Sequence, residues 1–161
     1  MCLILKKDKP KTAKDDVICY KVLVKRSFDT VKTPYTKTNV RSEILSGKED
    51  FCAFSFNNSG MPIVMKRADN KYQIDGGVIH TYAKEKIAIN DARWLRKTVG
   101  EERVIIYECR IPKGCEYYEG ETPVAITVFD NLKAFNGCKS YASPRIRFVK
   151  KIWDSDLNAN D

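Results

Sequence analysis

The sequence predicts an α+β fold, a mostly antiparallel and strongly curved β-sheet carrying one clear helix over about residues 84–99. Two observations carry that prediction. Short runs rich in β-branched and aromatic residues recur along the chain, and a single segment between them switches to helical period. A length of 161 residues fits one domain, assigned to residues 1–153, with a tail at 154–161 too poor in apolar residues to stay packed.

The elements follow in chain order. After a lysine-rich entry, "VICYKVLV" (17–24) reads as a strand. The stretch "RSFDTVKTPYTKTNVRSEILSGKED" is polar and threonine-rich, with one strand around 35–41. "FCAFSF" (51–56) is a short strand stopped by the turn chemistry of "NNSGMP". "IVMKRA" and "KYQI" form a weak hairpin leading into "DGGVIHTYA" (75–83), a glycine turn that feeds a strand. In the helix, Ala88, Ala92, Leu95 and Val99 recur on one face with Ile87, and Arg96 and Lys97 sit where the dipole favours cations. Gly100 closes it as the left-handed residue past the end. In "RVIIYECRI", Ile105, Tyr107, Cys109 and Ile111 share one face, and Ile106, Glu108 and Arg110 the other. "CEYYEG" and "VAITVF" are further strands. "RIRFVKKIW" alternates Ile146, Phe148 and Ile152 against Arg145, Arg147 and Lys151. There is no internal repeat.

Hydrophobic residues make up 43% and charged residues 31%, as in a soluble globular domain. No apolar run approaches the roughly 20 residues that span a bilayer. The opening "MCLILKKDKPK" places its apolar patch before its lysines, the reverse of a secretory signal, so a cytoplasmic location is expected. The six cysteines, at 2, 19, 52, 109, 115 and 138, include no C-x-x-C, and a single histidine offers zinc little. They are expected to be reduced structural thiols, with no metal and no cofactor.

Twenty-nine basic against 21 acidic residues give a net charge of +8, which serves solubility or an anionic partner such as a nucleic acid or a nucleotide. The densest basic stretches are "KKDKPKTAK" and "RIRFVKK", which form one basic face if the terminal strands pair.

His80 is the only histidine. No nucleophile motif accompanies it, so a structural or hydrogen-bonding role is expected before catalysis. The preceding Gly76-Gly77 suits a turn, or a backbone approached closely by a ligand. It is not a phosphate loop, since neither G-x-x-x-x-G-K-[ST] nor G-x-G-x-x-G occurs. Eight tyrosines suit stacking on a base or half-buried strands. Glu116, Glu119 and Glu121 are candidates for a general base or for orienting a ribose hydroxyl, or are simply solvated. The candidate ligand-binding set is Tyr20, Lys21, Gly77, His80 and Tyr82, with Tyr141, Arg145 and Arg147 from the later strands. No catalytic residue is assigned.

"MCLIL", "VICYKVL", "GGVIHTYA", "ECRIPKGCEYYEG" and "SYASPRIRFVKKI" together resemble a family of short uncharacterised proteins of bacteriophages, prophages and gut bacteria. That resemblance implies a phage setting and no particular activity. The order of elements is also similar to ADP-ribosyltransferase-like folds. This second likeness implies that Tyr20-Lys21, His80-Tyr82 and one of Glu116, Glu119 or Glu121 lie near a nicotinamide nucleotide. The chain departs from that fold's pattern, with no Arg or His in the first strand, no S-T-S, and no E-x-E counted as its acidic pair. The expected function is non-enzymatic binding of an anionic small ligand, a nucleotide or nucleotide-derived signal, as in a phage protein that sequesters a host immune signal. The alternatives are an enzyme acting on NAD and a protein-interaction or inhibitor module. A nucleic acid is the secondary partner, and no membrane is expected.

Overall fold

Three long strands form the spine of the computed structural model, which describes residues 3–26, 30–53, 64–74, 77–101, 103–122 and 138–157. In chain order the strands are β1 (Leu3–Leu5), β2 (Lys11–Thr12), β3 (Val17–Lys25), β4 (Val31–Lys32), β5 (Phe51–Cys52) and β6 (Val64–Lys66). They continue with β7 (Tyr72–Ile74), β8 (Ile79–Tyr82), β9 (Arg103–Ile111), β10 (Glu116–Glu121), β11 (Lys139–Ser143) and β12 (Arg145–Asp154). The helices are α1 (Ser42–Leu45) and α2 (Glu85–Trp94), the latter prolonged by a π-helical turn, Leu95–Val99. The sheet is open and its order is β5-β12-β9-β3-β8-β11-β10-β1-β7-β6, with β2 attached to β10 and β4 to β3. All strand pairings among the described residues are antiparallel. The mostly antiparallel α+β architecture is therefore as the sequence predicts.

β3 and β9 pair along their whole length, from Val17 opposite Ile111 to Lys25 opposite Arg103. Both of their faces are buried, which explains the unbroken "VLV" within β3. On one face Cys19, Leu23, Ile105 and Cys109 join Ile146 and Phe148 of β12. On the other, Val22, Val24, Val104 and Ile106 meet Ala88, Ala92 and Leu95 of the helix. Burial pushes the Cys19 thiol up to about 12, so it packs as a small uncharged hydrophobe beside Cys109, its register partner.

Several expectations need correction. The threonine-rich segment carries no strand over 35–41, only β4 and an isolated bridge between Lys32 and Asn39. It supplies the lid of the first core instead, through Val31, Val40 and Ile44, and adds the one-turn α1. The helix runs to Val99 as expected, but its last stretch, Leu95–Val99, is π rather than α. The N–H groups of Gly100 and Glu101 both reach back to the Leu95 carbonyl, which widens the last turn into a π-turn. Gly100, at φ 80°, ends it in the left-handed conformation expected of it. Ile152 leaves the face of Ile146 and Phe148, because two register irregularities in the β12–β9 ladder turn it toward the helix side with Trp153. The segment expected to fray from residue 154 begins with two pinned residues. Asp154 holds Arg103 at 2.5 Å and Lys151 at 2.9 Å, and Ser155 exchanges hydrogen bonds with Val104. The two basic terminal stretches do not meet, since β1 lies between β10 and β7 whereas β12 lies between β5 and β9. The hairpin of β6 and β7 forms where expected. "VAITVF", Asp75, Gly76 and the end of "FCAFSF" lie outside the described residues.

β1 is only three residues long and shares a single register pair with β10, Ile4 opposite Glu121. Burial holds it in place. Leu3 and Leu5 are fully enclosed with Ile74 and Ala142, and each stabilises the strand by roughly 1.5–3 kcal/mol. Gly120 permits the close crossing, because a Cβ there would collide with the Ile4 carbonyl oxygen and lie 2.8 Å from Leu5 Cδ2. The chain then leaves β1 through the lysine-rich connection to β2.

Candidate functional site

That connection walls one side of a groove of about 730 Å³. Lys6, Lys7, Lys9 and Lys11 line it from the β1–β2 side, and Lys71, Lys84 and Lys139 from other strand ends. The register explains why residues so distant in sequence converge. Leu5 pairs with Tyr72, so the chain continues into Lys6 on one strand and Lys71 on its neighbour. The Ala83 N–H bonds the Lys139 carbonyl, which sets Lys84, at the start of α2, beside β11. Tyr118, half-buried against the cluster beneath β1, supplies an aromatic wall, and Glu119 and Glu121 supply the only carboxylates among the described lining residues.

Glu119 binds Lys11 at 2.9 Å and Lys139 at 3.2 Å. Partial burial pulls its carboxyl up, but the hydrogen bonds from the two lysines outweigh that and hold it below the usual range. Lys139 also lies 5.8 Å from the centre of the Tyr141 ring, within cation–π reach. Lys6, Lys7, Lys9, Lys71 and Lys84 are exposed and form no ion pair among the described residues. Seven lysines against two glutamates leave the groove strongly positive. A cleft of one sign focuses field lines and concentrates ligands of the opposite charge.

The residues expected to bind a ligand lie elsewhere. Tyr20 and Tyr82 are register partners on the helix side of β3 and β8. The Tyr82 hydroxyl donates to Asp91 Oδ2 at 2.9 Å and the Tyr35 hydroxyl to Oδ1 at 3.3 Å. Asp91 is 1% exposed, and burial raises it to about 6 against the two tyrosine hydrogen bonds and the charge of Lys21. Burial likewise lowers Lys21 to about 8, and its ammonium donates to the His80 carbonyl at 2.9 Å. His80 thus serves Lys21 through its backbone, a contribution that its imidazole does not determine. Gly77 stands two residues before β8 at φ 75°, as a glycine turn requires. Tyr141, opposite Thr81, packs edge-on against Tyr117 at 5.6 Å.

Arg145 and Arg147 are on β12, three places from β8 in the sheet, and both hold Asp50, at 3.7 and 2.9 Å. Tyr20, Lys21, His80, Tyr82 and Tyr141 thus sit on the neighbouring strands β3, β8 and β11 but divide between the two faces of the sheet, Tyr20 and Tyr82 on the helix side and Tyr141 on the other. The two arginines stand apart, and none of the eight lines the groove. No family pattern, characterised protein or solved structure matches this chain. No group of three metal-ligating side chains occurs among the described residues, and no described helix is long and apolar enough to cross a membrane.

Four of the groove lysines belong to "KKDKPKTAK", so the charge run was visible in the sequence. Lys71, Lys84 and Lys139 carry no such signal, because only strand pairing joins them to the run.

Proposed function

We propose that the protein is a non-enzymatic binding protein for an anionic ligand of nucleotide type, held in the lysine-lined groove beside β1. The observation that supports this most is the set of five lysines that form no ion pair among the described residues, around a cavity whose volume suits a small ligand. Tyr118 gives a base a face to stack on, and the lysines meet the phosphates. A strongly curved sheet across β8, β11, β10, β1 and β7 goes with this function, because curvature deepens the groove. So does a cytoplasmic role in which a phage-encoded protein sequesters a nucleotide signal of its host.

A panel of ribonucleotides tests the proposal by thermal shift and calorimetry. A ligand at 100 times its Kd raises stability by about 2.7 kcal/mol. The double variant Lys7→Glu/Lys9→Glu is expected to lose that shift while melting, without ligand, near the wild-type temperature. A flat response across the panel, or an unchanged affinity in the double variant, overturns the proposal.

A second reading has one observation in its favour. Glu119-Gly120-Glu121 sets two carboxylates two residues apart on β10, an E-x-E within the groove, as an ADP-ribosyltransferase-like enzyme acting on NAD would need. Labelled NAD that yields neither nicotinamide nor modified protein removes it.

A further inference from the structure

The groove lysines are strung along the sheet rather than gathered at one point. Lys84 stands just beyond β8 and Lys139 opens β11. Lys6 follows β1, and Lys71 precedes β7. In the sheet these strands are consecutive with β10, in the order β8-β11-β10-β1-β7. Neighbouring strands lie about 4.8 Å apart, so the four intervals from β8 to β7 separate Lys84 from Lys71 by roughly 19 Å along the sheet. Lys7 and Lys9 overhang the span from the β1–β2 connection, and Tyr118 stands within it on β10.

This distribution constrains the ligand. A mononucleotide carries its phosphates in one contiguous group, which meets the lysines at one end and leaves those at the other end unanswered. A chain of phosphodiesters places separated negative charges along the row and leaves bases free to stack on Tyr118. The groove volume of about 730 Å³ sets the opposite bound, because it holds a few nucleotides and not a long strand. Resting on the proposed nucleotide binding, we infer that the natural ligand is a short oligonucleotide whose successive phosphates bridge the lysines from Lys84 to Lys71. Linear polyphosphate shares the spaced charge but has no base for Tyr118.

Calorimetric titration of the whole protein with oligoadenylates of one to five nucleotides, and with linear polyphosphate of matching charge, tests the inference at several salt concentrations. Affinity is expected to climb with length up to three or four nucleotides and then level off. Binding that neutralises three phosphates gives a slope of log K against log salt of about −2. Lys84→Gln and Lys71→Gln, both at exposed positions, are each expected to flatten the slope by about 0.7 for the tetranucleotide. For the mononucleotide, at most one of them does so.

Equal affinity for mono- and tetranucleotide overturns the inference and leaves the nucleotide proposal standing. A tetranucleotide that registers only one end variant does the same. No binding of any nucleotide by the wild-type protein overturns both. Polyphosphate that binds as tightly as the tetranucleotide overturns the assignment of an oligonucleotide while retaining a spaced polyanion.

Discussion

Lys21 and Lys71 both lie at the sheet, yet the protein uses them in opposite ways. Lys21 is enclosed, its ammonium is tied to a backbone carbonyl, and Asp91 contributes a compensating charge nearby. Lys71 faces open groove with no ion pair among the described residues. The difference lies in what covers them. Around Lys21 the sheet is covered on both faces, by the core of Cys19, Leu23 and Cys109 on one and by α2, which brings Asp91 to Tyr82, on the other. Every charge there must therefore find a partner within the protein. Over β1 and β10, among the described residues, the lysine-rich connection crosses and leaves its charge facing the groove. A buried charge specifies the fold, and an exposed, concentrated one specifies a ligand.

The largest expected effect breaks the enclosed side. Asp91→Ala strips the acceptor from two tyrosine hydroxyls and removes the carboxylate that offsets Lys21, costing roughly 3 kcal/mol in urea unfolding. Ligand affinity at the groove should stay within twofold if the two regions are as separate as the structure places them.

Next is the joint that forms the groove. Gly120→Ala drives a methyl group into the Ile4 carbonyl and the Leu5 side chain, at a cost of roughly 2 kcal/mol. Unlike Asp91→Ala, it should also weaken ligand binding, since β1 must shift. Unfolding and titration of the same sample separate the two variants.

The third test uses pH. Because Asp91 sits near 6 in the folded chain and near 3.8 when unfolded, the folded state takes up a proton first as pH falls from about 7 to 4. This group therefore adds stability toward acid. Asp154 does the reverse. Hydrogen bonding to Arg103, assisted by Lys151, holds it well below the usual carboxylate range, and its contribution is lost as pH falls. Subtracting the pH profile of Asp91→Asn from that of the wild type isolates Asp91. The difference should grow by on the order of 2 kcal/mol between pH 7 and pH 4 in favour of the wild type. A flat difference means that the buried carboxylate is not strained by its burial.

The smallest effect is expected at the arginine stripe. Arg147→Ala breaks an exposed pair with Asp50 and should change stability by less than about 0.5 kcal/mol, with ligand affinity untouched. A clear loss of affinity would move the site to β12.

The parts of the fold that are legible in the sequence are those where one local pattern decides. β9 alternates cleanly, and its two faces are the ones the structure buries. Gly100 has a left-handed conformation that few other residues tolerate. Elsewhere long-range packing overrules composition. Val31, Val40 and Ile44 are too sparse among threonines to signal a core, yet they cap one because the sheet leaves that face open to them. The buried network hides in the same way. Asp91 lies in an amphipathic helix like any surface acid, and only the packing of α2 against β8 and the segment after β4 gives it Tyr82 and Tyr35. His80 drew notice as a rare residue type, whereas the groove depends on Lys71 and Lys139, the commonest type in such a basic chain. Rarity marks chemistry poorly when the signal is a convergence.

The placement of β1 has a consequence for how the protein comes into being. Leu3–Leu5 leave the ribosome more than a hundred residues before their neighbour Glu116–Glu121. Until then β1 lacks one of its two flanking strands, and contacts so distant along the chain close late. The groove therefore cannot form before β10 has joined β1, and ligand capture reports on a molecule in which that long-range pairing is made.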